Sequence, residues 1–542
     1  MSGIIPSTPL SSNKKRKLET PSSRHAVADI SDISFNHQSS PATQDTPSGS
    51  SKAAESGKVL ETLNPQIPPS TSENQTKLKL MANFNPHKYK FRTMNLKLLE
   101  VADYLDDQIN TIARVILDHY KFDPNDFGNP TVQSQSEILT VGRIVPDSPL
   151  TEFDATLNSS SLFLETSRSG GIGQRVPLDL SSLPDYSLFP GQIACFKGIN
   201  PNGDFFKVQQ QYEIPYLGAP VTPLPDLEAN RERLENKDMK VVVVSGPYSP
   251  SKTLQYDHLS QFVDHMNNEV KPNMIVMFGP FLDVNHPQIV SGQLNFPDLE
   301  KQPKTLDELF KFMITPILKR LTCQVILIPS TKDATSKHAA YPQDSFERKS
   351  LGLSKNFRCF PNPATFQLNE LLMGCSNVDV YRDLKDVNSG SYVKEPRFDR
   401  IAKHVLEQRR YYPSVPGSIK KEKRPADSAF NVTSSGINGA DEDNHISGAD
   451  LHMSYMGLTE LTDTLPDVMV IPSELKYFVK IIKSVIFINP GTFMKMNSNG
   501  SYAVISVKAP NVDDLEKVKV DEEGDLYLHN IWKRARVDIV RS

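Results

Sequence analysis

Cysteine is scarce and unpaired in this 542-residue chain: Cys195, Cys323, Cys359 and Cys375 are scattered, with no CxxC pair. That argues against a disulfide framework and a zinc knuckle, and it leaves four candidate buried thiols in a reducing compartment. Long hydrophobic runs are missing as well. No stretch approaches the ~18 apolar residues of a membrane span, and the polar, proline-rich N-terminus lacks a secretory hydrophobic segment, so a soluble intracellular protein is expected. Charge of one sign is also lacking. A formal net charge of −4 argues against a chain whose main task is to grip nucleic-acid phosphates, while leaving room for a local basic patch.

What is present divides unevenly. The length calls for two to four domains, and 38% hydrophobic residues with 41 prolines imply that part of the chain is linker. Residues 1–85 are rich in Ser, Thr and Pro, poor in aromatics and without a sustained apolar period, so they are expected to be disordered. Within them "NKKRKLETP" groups Lys14, Lys15, Arg16 and Lys17, a compact cationic cluster of the kind import receptors bind. Thr8, Thr20, Ser40 and Thr46 each precede a proline, the pattern of proline-directed phosphorylation, which would add charge to an exposed segment.

Order is expected from residue 86. A helical lead-in over 86–130 carries Leu98, Ala102, Leu105, Ile109, Ile112 and Ile116 at spacings of three and four, one stripe of a packed helix too short for a coiled coil. Over 131–225 the signal changes to strands. "EILTVGRIV", "SLFLETS", "RVPLDLS", "GQIACFKGI" and "DFFKVQQQYEI" are β-rich, and "NPNG" at 200–203 marks a hairpin, which fits a five-stranded OB-fold barrel. Such barrels often bind single strands, but Phe196, Phe205 and Phe206 stand among few cations, and Phe196 is expected in the core. A protein-docking role fits equally.

After the proline-rich spacer "LGAPVTPLPDLE" the pattern over 236–542 becomes α/β. "KVVVVSGPY", "NMIVMFGPF", "CQVILIPST", "PDVMVIPS", "KSVIFINPG" and "YAVISVKAP" are continuous apolar runs, as buried strands read. Leu259, Phe262, Val263, Met266 and Val270 keep helical spacing, and "TLDELFKFMITPILKRL" opens with Thr305 and Glu308 as a capping box. The polar insertion 417–450 is expected to be a mobile loop.

The loops that follow those runs, "SGPY", "FGPFLD", "PSTKD" and "VIPSELKYF", with "AKHVLEQRRYYPSVPG" between the last two, resemble the calcineurin-like metallophosphoesterases with their catalytic residues replaced. This is the pattern of the B subunits of replicative DNA polymerases. "VPLDLSSLPDYSLFPGQIACFKGINPNG", "VVVVSGPYSPS", "MFGPFLDVNHPQI" and "INPGTF" resemble the alpha branch of that family more than the delta or epsilon branches. The resemblance covers about 85–542 and implies an α+β multidomain chain, an OB-fold barrel on a layered α/β phosphoesterase domain. The family's globular N-terminal helical domain is not matched, and the chain begins in what resembles its phosphorylatable linker.

Two-metal phosphoester hydrolysis needs acids, imidazoles and an amide holding two cations ~3.5–4 Å apart. By resemblance the first loop offers Ser245 and Tyr248 where an acid and a histidine belong. Pro280 replaces the bridging acid and leaves Asp283. Lys332 and Asp333 replace an Asn-His pair, His404 stands for the lone histidine, and the last loop has Ser473. The expectation is no metal, no cofactor and no catalysis, with His286 and His404 structural and Asp283 capping its loop. The resemblance implies a nuclear, non-catalytic subunit of the DNA polymerase alpha–primase complex. Its implied partners are the zinc-bearing C-terminal domain of the catalytic subunit and, through it, primase, with DNA contact weak or indirect and no membrane. An active metallophosphoesterase and a single-strand-binding module are the competing classes.

Overall fold

The structure, a computed structural model, describes residues 27–28, 56–70, 77–90, 97–147, 157–292, 294–297, 301–417, 419–421, 445–447, 450–495, 498–511, 516–518 and 525–542. Lys14 to Lys17, Thr8, Thr20, Ser40 and Thr46 lie outside them, as does most of the insertion. Within it only Gly417, Asp450 and the short ladder of Ile419–Lys421 with His445–Ser447 are described.

The apolar runs form two sheets packed face to face. The larger orders its strands as Phe357–Cys359, Gln324–Ile328, Met274–Phe278, Met239–Ser245, Ser501–Val507, Ala535–Arg541 and Val59–Leu63. Its first four strands run parallel, and Ser501–Val507 and Ala535–Arg541 continue it antiparallel. The second sheet runs Phe478–Ile482, Val485–Asn489, Val468–Val470, Leu371–Cys375, Ala364–Leu368 and Leu80–Ala82. Val241, Val276, Phe278 and Ile326 of one sheet meet Phe366, Met373, Val470 and Ile488 of the other in a single core. Alternate residues of the larger sheet, among them Val242, Ile275 and Leu327, face Leu259, Phe262, Leu309 and Phe310 on helices Asp257–His265 and Leu306–Met313. Strands buried on both faces leave no room for polar alternation, hence the continuous runs.

Thr305 accepts the Glu308 N–H at 3.1 Å, while the Glu308 carboxylate reaches the N–H of Lys304 instead of that of Thr305. The helix then stops at Met313, and a separate turn Thr315–Leu318 follows with Pro316 in its first positions, because proline cannot donate to the preceding turn.

Ser134–Pro146, Leu162–Glu165, Arg175–Asp179, Phe206–Tyr212 and Ile193–Asn200 close a barrel in that order. Gly203, at φ +92°, lies in the hairpin between the last two, where only glycine turns without strain. Phe196 and Phe206 are fully buried in the barrel core, as expected of Phe196. The helix Leu98–Tyr120 lays Ile109, Ile112 and Ile116 on the barrel's outer residues Ile193, Cys195 and Ile214. Leu98, the first residue of the expected stripe, is 88% exposed.

Three sequence readings are corrected. Residues 1–85 are not uniformly without order: Val59–Leu63 and Leu80–Ala82 are outer strands of the two sheets, paired with Ala535–Arg541 and Ala364–Leu368. Val59–Leu63 is a half-exposed edge strand interrupted by Glu61 and Thr62, and Leu80–Ala82 has three residues, so neither shows a continuous apolar run, and both are held by partners far along the chain. The spacer 217–228 is not a plain linker either, since it makes the strand Ala219–Pro223, paired with Leu526–Leu528, and opens the helix Leu224–Arg233. Finally, the hairpin Ala364–Leu368 and Leu371–Cys375 was not among the expected strands.

Candidate functional site

A broad cleft opens where the parallel strands end, lined by the loops after Ser245, Phe278, Ile328, Cys375, Val470 and Asn489. This is where α/β sheets present their chemistry. Ser245, Pro280, Asp283, Lys332 and Ser473 line it. The structure therefore brings together five of the eight positions singled out by resemblance.

Hydrogen bonds that use up the donors and acceptors hold these loops together. Val284 N–H donates to Lys332 O at 2.8 Å, and Ala334 N–H to Leu282 O at 2.8 Å, so two loops pair like short strands. Beneath them Asp333 is 4% exposed. Its Oδ1 accepts the Phe281 N–H at 2.5 Å and its Oδ2 the Ser330 N–H at 2.8 Å. Burial pushes this carboxyl up to about 7 against the pull of those amide donors; it staples the cleft floor rather than facing the cleft. Glycine is obligatory above it. A Cβ on Gly279 would stand 1.8 Å from Asp333 Oδ2, and one on Gly246 would stand 2.1 Å from Pro280 O.

Asn377, which the sequence reading missed, closes the next loop. Its Nδ2 donates to Gly279 O and to Pro329 O, both at 3.1 Å, while its own N–H donates to Asn362 Oδ1 at 2.8 Å. One amide thus bridges two strand ends. Asn489 does the same for the last loops, accepting the N–H groups of Ser473 at 2.9 Å and Gly491 at 3.0 Å. Across the cleft mouth Glu474 pairs with Lys332 and, at 2.9 Å, with Arg382. Burial would raise the Glu474 carboxyl, but the two cations hold it below the usual range. The signal that could have found Asn377 was the apolar run "LLMGC" before it, of the same kind as the other strands.

Tyr248 and His404 lie elsewhere. Tyr248 is fully buried under the cleft, its OH donating to Phe278 O at 2.9 Å and its ring stacked on Phe281 with centroids 4.9 Å apart. His404 sits in the helix Arg397–Glu407, outside the cleft lining, against the barrel. Its Nε2 is 2.8 Å from Ser187 Oγ, which in turn donates to Asp386 at 3.0 Å. A linear order of loops does not specify this placement. His286 lines the cleft but spends both nitrogens: Nδ1 accepts the Gln288 N–H at 3.3 Å, and Nε2 is 3.1 Å from Pro250 O. Asp283 accepts the Asn285 N–H at 2.9 Å within its own loop.

The donor set does not fit a two-metal centre. Among the described residues no three His, Cys, Asp or Glu side chains converge as metal ligands, and Asp333, Asn377, Asn489, His286 and Glu474 already have partners within the protein. No step of a metal-assisted hydrolysis is derived for it.

A second feature is the junction between barrel and sandwich. Val387–Ser389 pairs antiparallel with Tyr186–Leu188 of the barrel segment. Gln408 accepts the Ile193 N–H at 2.8 Å and returns a bond to Ile193 O at 3.0 Å. Arg400 and Asp386, both nearly buried, pair at 2.6 Å. Two family profiles match the two halves of this arrangement. The profile of the OB domain of the DNA polymerase alpha B subunit matches residues 102–214, and that of the DNA polymerase alpha/epsilon B subunit matches residues 241–480. The chain belongs to the family of DNA polymerase alpha B subunits.

Among its relatives in that family, the DNA polymerase alpha B subunit of Saccharomyces cerevisiae is 48% identical over 90% of this chain and 72% of that protein. The Schizosaccharomyces pombe protein of the same name is 33% identical over 94% of this chain and 82% of its own length. That of Rattus norvegicus is 28% identical over 78% and 63% respectively. The matched OB range begins within the helix Leu98–Tyr120, in keeping with that helix being packed on the barrel.

Proposed function

We propose that this chain is the non-catalytic accessory subunit of a DNA polymerase alpha–primase complex, acting in DNA replication in the nucleus. It serves as the platform that holds the catalytic subunit through that subunit's C-terminal domain, and with it primase. The observation that carries this reading is the cleft: the loop ends after Phe278, Ile328, Cys375, Val470 and Asn489 are tied by Asp333, Asn377, Asn489 or the Lys332–Glu474–Arg382 triad, and that after Ser245 by backbone bonds to Phe278 and Phe493. An enzyme preorganises free ligands towards substrate, whereas here the same atoms stabilise the fold. The barrel is joined to the sandwich through buried side chains, so the two can meet a partner as one rigid body. Family membership supports the polymerase alpha setting over the delta and epsilon ones. On the same reading Lys14, Lys15, Arg16 and Lys17 serve nuclear import, and Thr8, Thr20, Ser40 and Thr46 are candidates for phosphorylation.

Coexpression with the C-terminal domain of the catalytic subunit tests the platform role. An obligate interface, on the order of 2,000 Å² or more, keeps the pair in one gel-filtration peak at high salt; two separate peaks refute the proposal. Hydrolysis of an aryl phosphodiester with manganese, abolished by Asp283→Ala while folding is retained, would refute the non-catalytic role.

A further inference from the structure

Between Gln75 and Leu99 the sequence carries Lys77, Lys79, Lys88, Lys90, Arg92 and Lys97 and no Asp or Glu. In a chain of net charge −4 this is a marked segregation of charge, and neither the cleft nor the barrel uses it. The described part of the segment runs along one side of the sandwich. Leu78 enters the inter-sheet core and donates its N–H to Gln324 Oε1 at 3.2 Å. Lys79 donates its N–H to Asn369 Oδ1 at 2.9 Å, and Leu80–Ala82 then forms the outermost strand of the six-stranded sheet. Phe84 packs edge-on against Phe360 with centroids 5.0 Å apart. Tyr89, 3% exposed, anchors the far end through bonds from its OH to Pro363 O at 3.3 Å and Leu458 O at 3.2 Å.

This anchoring turns the lysines outward. Lys77, Lys79, Lys88 and Lys90 are exposed, the first two at one end of the strand and the last two beside the buried tyrosine. Phe357–Cys359 is the outermost strand of the other sheet on this same side, and Lys355 and Arg358 on and beside it are also exposed. Adjoining acids are already engaged: Glu370 pairs with Arg534 at 2.9 Å, and Glu460 faces Arg410 at 3.7 Å.

We propose that this edge binds the phosphate backbone of single-stranded DNA, without reading its bases. The inference rests on the chain acting within a DNA polymerase complex. The cations lie in two groups, one beside the strand and one on the short helix His87–Lys90, a diffuse array that meets the evenly charged phosphates of a flexible single strand, and the residues between the groups, Ala82, Asn83 and Asn85, are small or polar, so nothing there grips a base or an apolar side chain. Lysines flanking an edge strand also block sheet-to-sheet association. That role accounts for Lys77 and Lys79 but not for Lys88 and Lys90, which lie off the strand.

The test is anisotropy of a labelled oligothymidylate with the full chain, from low to moderate salt. About four phosphate contacts give a slope of log K against log salt near −3. Lys77→Glu with Lys79→Glu, and separately Lys88→Glu with Lys90→Glu, each weaken binding at least about tenfold, and glutamine versions weaken it less and flatten the slope. Far-ultraviolet circular dichroism checks that each variant is folded. Unchanged affinity in the Lys88/Lys90 variant, a salt slope near zero, or displacement by poly-glutamate as effective as by unlabelled oligonucleotide would overturn the proposal. Copurification with the catalytic subunit is scored separately on the same variants, so loss of DNA binding with assembly intact tells the two proposals apart.

Discussion

Replacing Asp333 by asparagine removes one ionisable group from the floor of the cleft and leaves the two loops otherwise alike. The carboxyl is fully enclosed, and burial raises it from the ordinary 3.8 to about 7 in spite of N–H groups from Phe281, Ser330 and Leu282. A group that holds its proton more tightly when folded stabilises the fold fully below its unfolded value, and that contribution is lost as pH rises through the folded value. At 1.36 kcal/mol per tenfold in the proton equilibrium, a rise from 3.8 to about 7 corresponds to at most about 4 kcal/mol lost between pH 4 and pH 8. Asparagine can accept only one of the two short N–H bonds, which costs about 1–3 kcal/mol at every pH. Urea unfolding of wild type and Asp333→Asn across that range reads the difference. The expected gap between them narrows, and can reverse, as pH rises towards 8. A gap independent of pH, or one that widens with pH, would show that the amide donors outweigh burial and would refute the reasoning.

Further outcomes follow from the packing. Phe196→Ala empties the barrel core at a fully buried position and is expected to cost about 3–5 kcal/mol in denaturant unfolding. Asn377→Ala leaves the carbonyls of Gly279 and Pro329 without their shared donor; a loss of about 2–4 kcal/mol is expected, and near-wild-type stability would contradict the bridging role. His404→Ala removes the bond to Ser187 and the ring contact with Phe189, so stability falls by about 1–3 kcal/mol while any phosphodiesterase background stays unchanged. On composition alone, the first cuts of limited proteolysis are expected in the Ser/Thr/Pro-rich N-terminal segment and the polar insertion 417–450; first cuts within 240–330 would contradict the layered packing.

The candidate site was partly legible. "FGPFLD" and "PSTKD" announced two loops at strand ends, because an apolar run closed by glycine or proline and followed by polar residues has few other meanings. That these loops bind each other through Asp333, that Asn377 bridges two carbonyls and that Asn489 gathers two N–H groups where metal ligands are absent depended on side-chain directions set by partners as far as 98 positions away. His404 illustrates the limit: its place in the order of motifs was clear, yet its helix turns it towards Ser187 of the barrel.

The sequence by itself determined the elements whose pattern is local and long enough to bury: the five barrel strands, the helix stripe Ile109, Ile112 and Ile116, and the doubly buried runs from Val241 to Ile488. In each, periodicity or a continuous apolar stretch states which faces must leave water. Only the tertiary structure decided the rest. Val59–Leu63 and Leu80–Ala82 are strands because Ala535–Arg541 and Ala364–Leu368 offer open edges to pair with. The cleft takes its form because Gly246 and Gly279 let loops from separate strands meet within hydrogen-bond reach, and such pairings draw their free energy from partners distant in the chain, not from the residues that display them.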